Sequence, residues 1–162
     1  MTSMTDAAQT SLERVLSEAK SENRAALIGY IPAGFPSIAG CLAAIDVLIE
    51  SGFDAVEIGF PYSDPVMDGP IIQQAADLAL RNGVKARDVL ATLNHASSRG
   101  AAAVVMTYWN PIEQFGVTNF AQAIASAGGS GVITPDLSFE QAQPWKESAT
   151  QAGINTIFVV AP

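Results

Sequence analysis

Short, nearly uninterrupted apolar runs recur along this sequence, each separated from the next by a stretch with helical spacing. No other feature constrains the fold as much. The runs are Ala25 to Ile31, Asp54 to Gly59, Ala101 to Thr107, Gly131 to Thr134 and Asn155 to Val160. A strand that is apolar at every position is buried on both faces, and a sheet buried on both faces is parallel and covered by helices. The intervening segments supply those helices. In Ser37 to Glu50, Cys41, Leu42, Ile45, Leu48 and Ile49 recur at helical spacing, and Gly52 is placed to stop the helix. Pro70 suits a first helical position, and that helix ends near Asn82-Gly83. Further helices are expected over Ala86 to Arg99, Asn119 to Ala127 and Phe139 to Ala152, the last stopped by Gly153. Ahead of the cycle, Thr10 and Glu13 form a capping box for a helix whose face carries Leu12, Val15, Leu16 and Ala19. Residues 1–10 are small and polar and read as a flexible tail. Two architectures fit this order: an open doubly wound sheet, or part of a (β/α)8 barrel.

Composition excludes several functions. Eight basic against sixteen acidic residues give a net charge of -8, the wrong sign for nucleic acid or an anionic membrane. No apolar run reaches the ~20 residues needed to span a bilayer, and no secretory signal is visible. The single cysteine, Cys41, fits a reducing, cytoplasmic setting; it falls on an apolar helix face and reads as core. One cysteine and one histidine give little support to a His/Cys metal site. His95, late in its helix, reads as a solvated face residue. Gly128-Gly129-Ser130-Gly131 precedes a strand, so it reads as a turn rather than a phosphate cradle.

In both architectures ligands bind at the carboxyl ends of the strands. Glu57 is the anomaly there. It interrupts Ala55-Val56-Glu57-Ile58-Gly59, which is otherwise apolar. Because side chains alternate along a strand, Val56 and Ile58 share the face that suits the helices, and Glu57 shares the other with Ala55 and Gly59. A carboxyl among such small neighbours loses hydration, and its pKa rises toward the range a general acid/base needs. Asp68, just before a helix, reads on its own as a helix cap, and Asp64 beside Pro65 as a turn former. Trp109 at a strand end could stack on a ligand, whereas Trp145 reads as packing.

The segment Glu57-Ile58-Gly59-Phe60-Pro61-Tyr62-Ser63-Asp64-Pro65-Val66-Met67-Asp68-Gly69-Pro70-Ile71-Ile72-Gln73 resembles the signature of the tryptophan synthase alpha chains. Tyr30 through Pro36, Met106 through Pro111 and Ile157 through Pro162 add weaker matches. The resemblance implies a partial TIM (β/α)8 barrel of about five parallel strands, with an N-terminal helix, over residues 11–162. It implies a lyase of tryptophan biosynthesis that cleaves indole-3-glycerol phosphate to indole and glyceraldehyde 3-phosphate. It places the catalytic acids on Glu57 and Asp68, with Tyr30, Met106, Ile133 and Val159 as apolar walls for the indole and Tyr108 near the site. It makes the loop of Pro61, Asp64 and Pro65 a contact for the beta chain of an alpha2-beta2 assembly. The alpha chain itself takes no metal or cofactor; pyridoxal phosphate belongs to the beta chain.

A complete barrel has eight strands in ~250 residues, with its phosphate site after strands seven and eight. The expectation is therefore a fragment without the phosphate grip, open at its first and fifth strands and inactive or nearly so by itself. Two alternatives remain: a noncatalytic module that only binds the beta chain, and another phosphate-sugar isomerase or aldolase. The latter would call for a strand-end lysine or a different acid pair.

Overall fold

The structure is a computed structural model and describes residues 9–160; residues 1–8 of the expected tail at residues 1–10, and residues 161–162, lie outside these. Helix α1 (Ser11–Ser21) is followed by β1 (Ile28–Pro32), α2 (Ile38–Glu50), β2 (Ala55–Gly59), α3 (Pro70–Arg81) and α4 (Ala86–Ser98). Then come β3 (Ala102–Met106), α5 (Trp109–Phe115), α6 (Val117–Ser126), β4 (Gly131–Thr134), α7 (Gln143–Ala152) and β5 (Asn155–Phe158).

All strand pairs are parallel and the spatial order is β1-β2-β3-β4-β5. A doubly wound sheet reverses its order at a switch point; this one does not, so the sheet is an open arc of a β/α barrel. The register sorts the side chains into two faces. Gly29 pairs with Val56, Val56 with Ala103, and Val105 with Val132. This outer face meets the helices, and Val56, Ile58, Ala103, Val105 and Val132 join Ile45, Leu93, Phe120, Ile124 and Trp145 in the main core. The inner face carries Tyr30 beside Glu57, Glu57 beside Val104, Gly59 beside Met106, and Met106 beside Ile133.

Helix α1 closes one end of the inner face. Its Leu12 packs with Ala55, Ala102 and Val104, and Val15 and Ile133 lie against them. The Thr10–Glu13 capping box is present. The same residues fasten the helix to the start of β5: the Thr10 hydroxyl donates to Asn155 Oδ1 at 2.6 Å, and Asn155 Nδ2 donates to Glu13 Oε1 at 2.9 Å. Leu16 does not share the buried face but stands 42% exposed, because helix α1 covers a narrow end of the sheet and buries only Leu12 and Ala19.

Two helices differ from the sequence reading. Helix α5 was not anticipated: Tyr108-Trp109-Asn110-Pro111 continues from a strand end into a short helix, with Pro111 tolerated in its first turn. Helix α7 starts at Gln143, not Phe139. The Phe139 ring instead lies edge-on to Phe158 at 5.6 Å with the Lys146 ammonium 3.8 Å from its centroid. Cys41 is buried, as is Trp145, and Gly128 turns with φ 80°. His95 is not a free surface group. Its Nε2 lies 2.8 Å from Asp46 Oδ1, and Arg99 Nε is 3.2 Å from the same oxygen, because α2 and α4 pack side by side. No described helix is long and apolar enough to cross a membrane.

Candidate active site

Glu57 is placed by its strand. With Val56 and Ile58 anchored in the helix layer, the pleat turns Glu57 to the inner face, where it is partly buried. Along the strand its neighbours Ala55 and Gly59 are small. Across the sheet they are Tyr30 and Val104, so the hollow is walled rather than empty. Burial alone holds the carboxyl above its usual range. Every ion pair among the described residues involves other acids, so no cation offsets this desolvation.

Gly59 makes room for Tyr30. A Cβ at Gly59 would stand 2.7 Å from Tyr30 Cζ and 3.0 Å from Cε2, with the phenol oxygen nearer still. Gly59→Ala is therefore expected to swing the Tyr30 ring aside and cost about 1–3 kcal/mol of stability, read from a urea midpoint.

Asp68 reaches the same hollow from the β2–α3 loop. It does not cap α3, whose N-cap is Gly69 with no side-chain cap bond. Partial burial raises its carboxyl above the ordinary value, and the nearby Tyr108 phenol offsets part of that rise. Tyr108 is 2% exposed, and its oxygen also accepts the Met67 N–H at 2.9 Å. Tyr30 joins the two acids: after burial, the negative charges of Asp68 and then Glu57 are what make its phenol harder to ionise. Glu57, Asp68, Tyr30 and Tyr108 thus form one cluster at the carboxyl ends of β1, β2 and β3.

The other expected residues divide. Met106 and Ile133 line the inner face beside this cluster, but Ile133 also packs toward α1. Val159 lies past the end of β5 and is 50% exposed, because among the described residues no strand flanks β5 on that side. Pro61 is buried under the loop, Pro65 partly so, and Asp64 is exposed, held by the Ser63 hydroxyl at 2.6 Å. Trp109 begins α5. The sequence reading placed Asp136 at the end of the fourth strand but gave it no role; both its oxygens accept the Trp109 N–H, at 2.9 and 3.1 Å. Its position after β4 was the available signal.

One cavity of about 630 Å³ is not centred on the acids. It runs between β1 and α3, lined by Tyr30, Ile31, Phe35, Ile72 and Leu78 among others. Tyr30 is its only titratable lining group. That cavity therefore offers a single phenol, whereas the two carboxyls lie with the Glu57 hollow. No cluster of three or more His, Cys, Asp or Glu residues suited to a metal occurs among the described residues.

The raised Glu57 carboxyl has a consequence for stability. The folded chain binds that proton more tightly than the unfolded chain. The group's stabilising contribution is therefore fully present below the ordinary glutamate value and is lost as pH rises through the higher folded value. Glu57→Gln, which never ionises, is expected to gain on the wild type over that pH interval. Urea unfolding of both proteins at several pH values measures this, and parallel pH curves would refute it.

The family model described as "Tryptophan synthase alpha chain" matches residues 16–162. A curated tryptophan synthase alpha chain of Thermobifida fusca is 56% identical over 153 residues, covering 94% of this chain and 57% of that protein. One of Streptomyces coelicolor is 50% identical over 152 residues, covering 93% and 56%. Among solved structures, tryptophan synthase of M. tuberculosis superposes with a TM-score of 0.92 at 49% identity, covering 95% of this chain and 62% of that one. The alpha subunit from Legionella pneumophila superposes at 0.88 with 32% identity, covering 92% and 58%. The chain spans a little over half the length of the curated relatives it matches.

Proposed function

From the premise that this chain belongs to the tryptophan synthase alpha chain family, we propose that it supplies the acid/base half of an indole-3-glycerol phosphate lyase. The reaction yields indole and glyceraldehyde 3-phosphate, within tryptophan biosynthesis. The observation that carries this reading is Glu57, a carboxyl kept on the sheet's inner face without a cation, in one cluster with Asp68.

The chemistry asks for such a pair. The bond between indole C3 and the glyceryl carbon breaks only after C3 takes a proton, which leaves the ring cationic. The hydroxyl on that glyceryl carbon then gives up its proton and becomes the aldehyde, and the bonding electrons return to the ring. Glu57, with its proton affinity raised by burial, is suited to give the first proton and take the second. Asp68 is suited to accept the ring N–H while positive charge grows there, a contribution that is large where water is excluded. Tyr30, Met106 and Ile133 are the nearby apolar walls, with Tyr108 beside Asp68; Val159 reaches the ring only if the edge beyond β5 is covered.

In this reading the chain uses no cofactor and acts in the cytoplasm. Its partner is a beta chain that carries the pyridoxal phosphate. The loop with Pro61, Asp64 and Pro65 is the proposed contact; beside it Val66 and Ile71 are each 79% exposed and Met67 54%, an apolar surface that invites cover. The five-stranded arc leaves the edges of β1 and β5 unpaired among the described residues, and the site is open there. We therefore expect the 162 residues alone to release no indole above background from indole-3-glycerol phosphate. A full-length alpha chain carrying them should release it readily. Absence of indole from the full-length chain would overturn the assignment. Beta-chain binding without indole release would favour the noncatalytic module.

A further inference from the structure

Asp136, on the turn after β4, accepts the Trp109 N–H with both carboxylate oxygens, at 2.9 and 3.1 Å. Trp109 is the first residue of α5, where backbone N–H groups lack partners within the helix and a negative charge is favoured. The N-cap residue itself, Tyr108, makes no side-chain cap bond. Its phenol is spent elsewhere, accepting the N–H of Met67, the residue before Asp68, at 2.9 Å. Two positions later, Asn110 Nδ2 donates to Tyr62 Oη at 3.1 Å, and the Tyr62 ring lies 5.3 Å from that of Tyr108. The start of α5 therefore grips the β2–α3 loop at Tyr62 and at Met67–Asp68, and Asp136 holds the start of α5.

We propose that Asp136 is a positioning residue for Asp68, acting through the first turn of α5 and the Tyr108 phenol. This rests on the reading of Asp68 as the carboxylate that meets the ring N–H. Asp136 touches no reacting atom. It couples the end of β4 to the loop after β2 across the end of β3, so that three strand ends set one acid.

The test needs no turnover and uses the 162-residue chain. Amide hydrogen exchange at Met67 and the carbon-13 titration of the Asp68 carboxyl are followed in wild type, Asp136→Ala, Asp136→Asn, Tyr108→Phe and the Ala/Phe double variant. Asp136→Ala is expected to speed Met67 exchange about tenfold, the size of one lost hydrogen bond to a charged group. It should also move the Asp68 titration up, because the Tyr108 phenol that holds that carboxyl down is no longer pinned beside it. Asp136→Asn keeps an acceptor oxygen and should restore most of both effects. Tyr108→Phe should reproduce them, and the double variant should add nothing further, as expected for residues acting in series. Unchanged Met67 exchange in Asp136→Ala overturns the proposal. So does a rise shared equally by β2 and β3, which reports lost fold rather than a lost pin. The lyase reading fails on separate grounds, if a full-length chain releases no indole.

Discussion

Replacing Glu57 by Gln in a full-length alpha chain carrying this sequence is expected to lower the rate of indole release by about 10³-fold, within the usual range for loss of a general acid/base. The two side chains have nearly the same volume, so the hollow between Tyr30 and Val104 stays filled. What is lost is the proton. An amide cannot protonate indole C3 or relieve the glyceryl hydroxyl. Because the packing survives, KM should change little and the loss should fall on kcat. A variant with kcat within a few-fold of wild type would show that another group moves the protons. A large rise in KM with kcat intact would show that Glu57 only binds.

Asp68→Asn is the second large effect. Its side chain keeps one acceptor oxygen, so it still meets an N–H, but it cannot place a full negative charge beside a ring that becomes cationic. That difference is felt in the transition state and hardly in the ground state. The expected loss is about 10²-fold in kcat with KM nearly unchanged, the scale seen when one preorganised electrostatic contact is removed. The Tyr108 phenol should remain in place, since it is held independently by the Met67 N–H and the Tyr62 ring. Steady-state kinetics on the single and double variants distinguish the roles. Glu57→Gln and Asp68→Asn together should fall short of the product of their separate losses, because both serve one transition state.

Much of this arrangement was legible in the residues because it follows from alternation and chain punctuation. The five apolar runs became five parallel strands, and the place of Glu57 on the inner face required only that Val56 and Ile58 face the helices. Thr10 with Glu13, Pro70 and Gly153 marked helix ends for reasons local to a few residues. Contacts between distant segments were not legible. Asp68 looks like a helix cap in isolation; only the family resemblance lifted it from that reading, and in the structure Gly69 takes the cap position while a tyrosine from far along the chain holds the neighbouring Met67 N–H. His95 looked solvated because nothing near it in sequence announces Asp46 on the neighbouring helix. Helix α5 was hidden by Trp109-Asn110-Pro111, whose residue types favour turns, and it is steadied from outside by Asp136. Gly59 read as open space beside a carboxyl, whereas that space holds the Tyr30 ring.

The proposed acid/base role requires Glu57 to hold its proton more tightly than a solvated glutamate does. Carbon-13 NMR titration of its side-chain carboxyl in the folded chain measures this directly. The expected midpoint lies above the ordinary glutamate value of 4.5, with no other strand residue's signals moving by more than local shifts. A midpoint at or below that value would mean that the side chain is hydrated or paired with a cation, and the acid/base role assigned to it would be wrong.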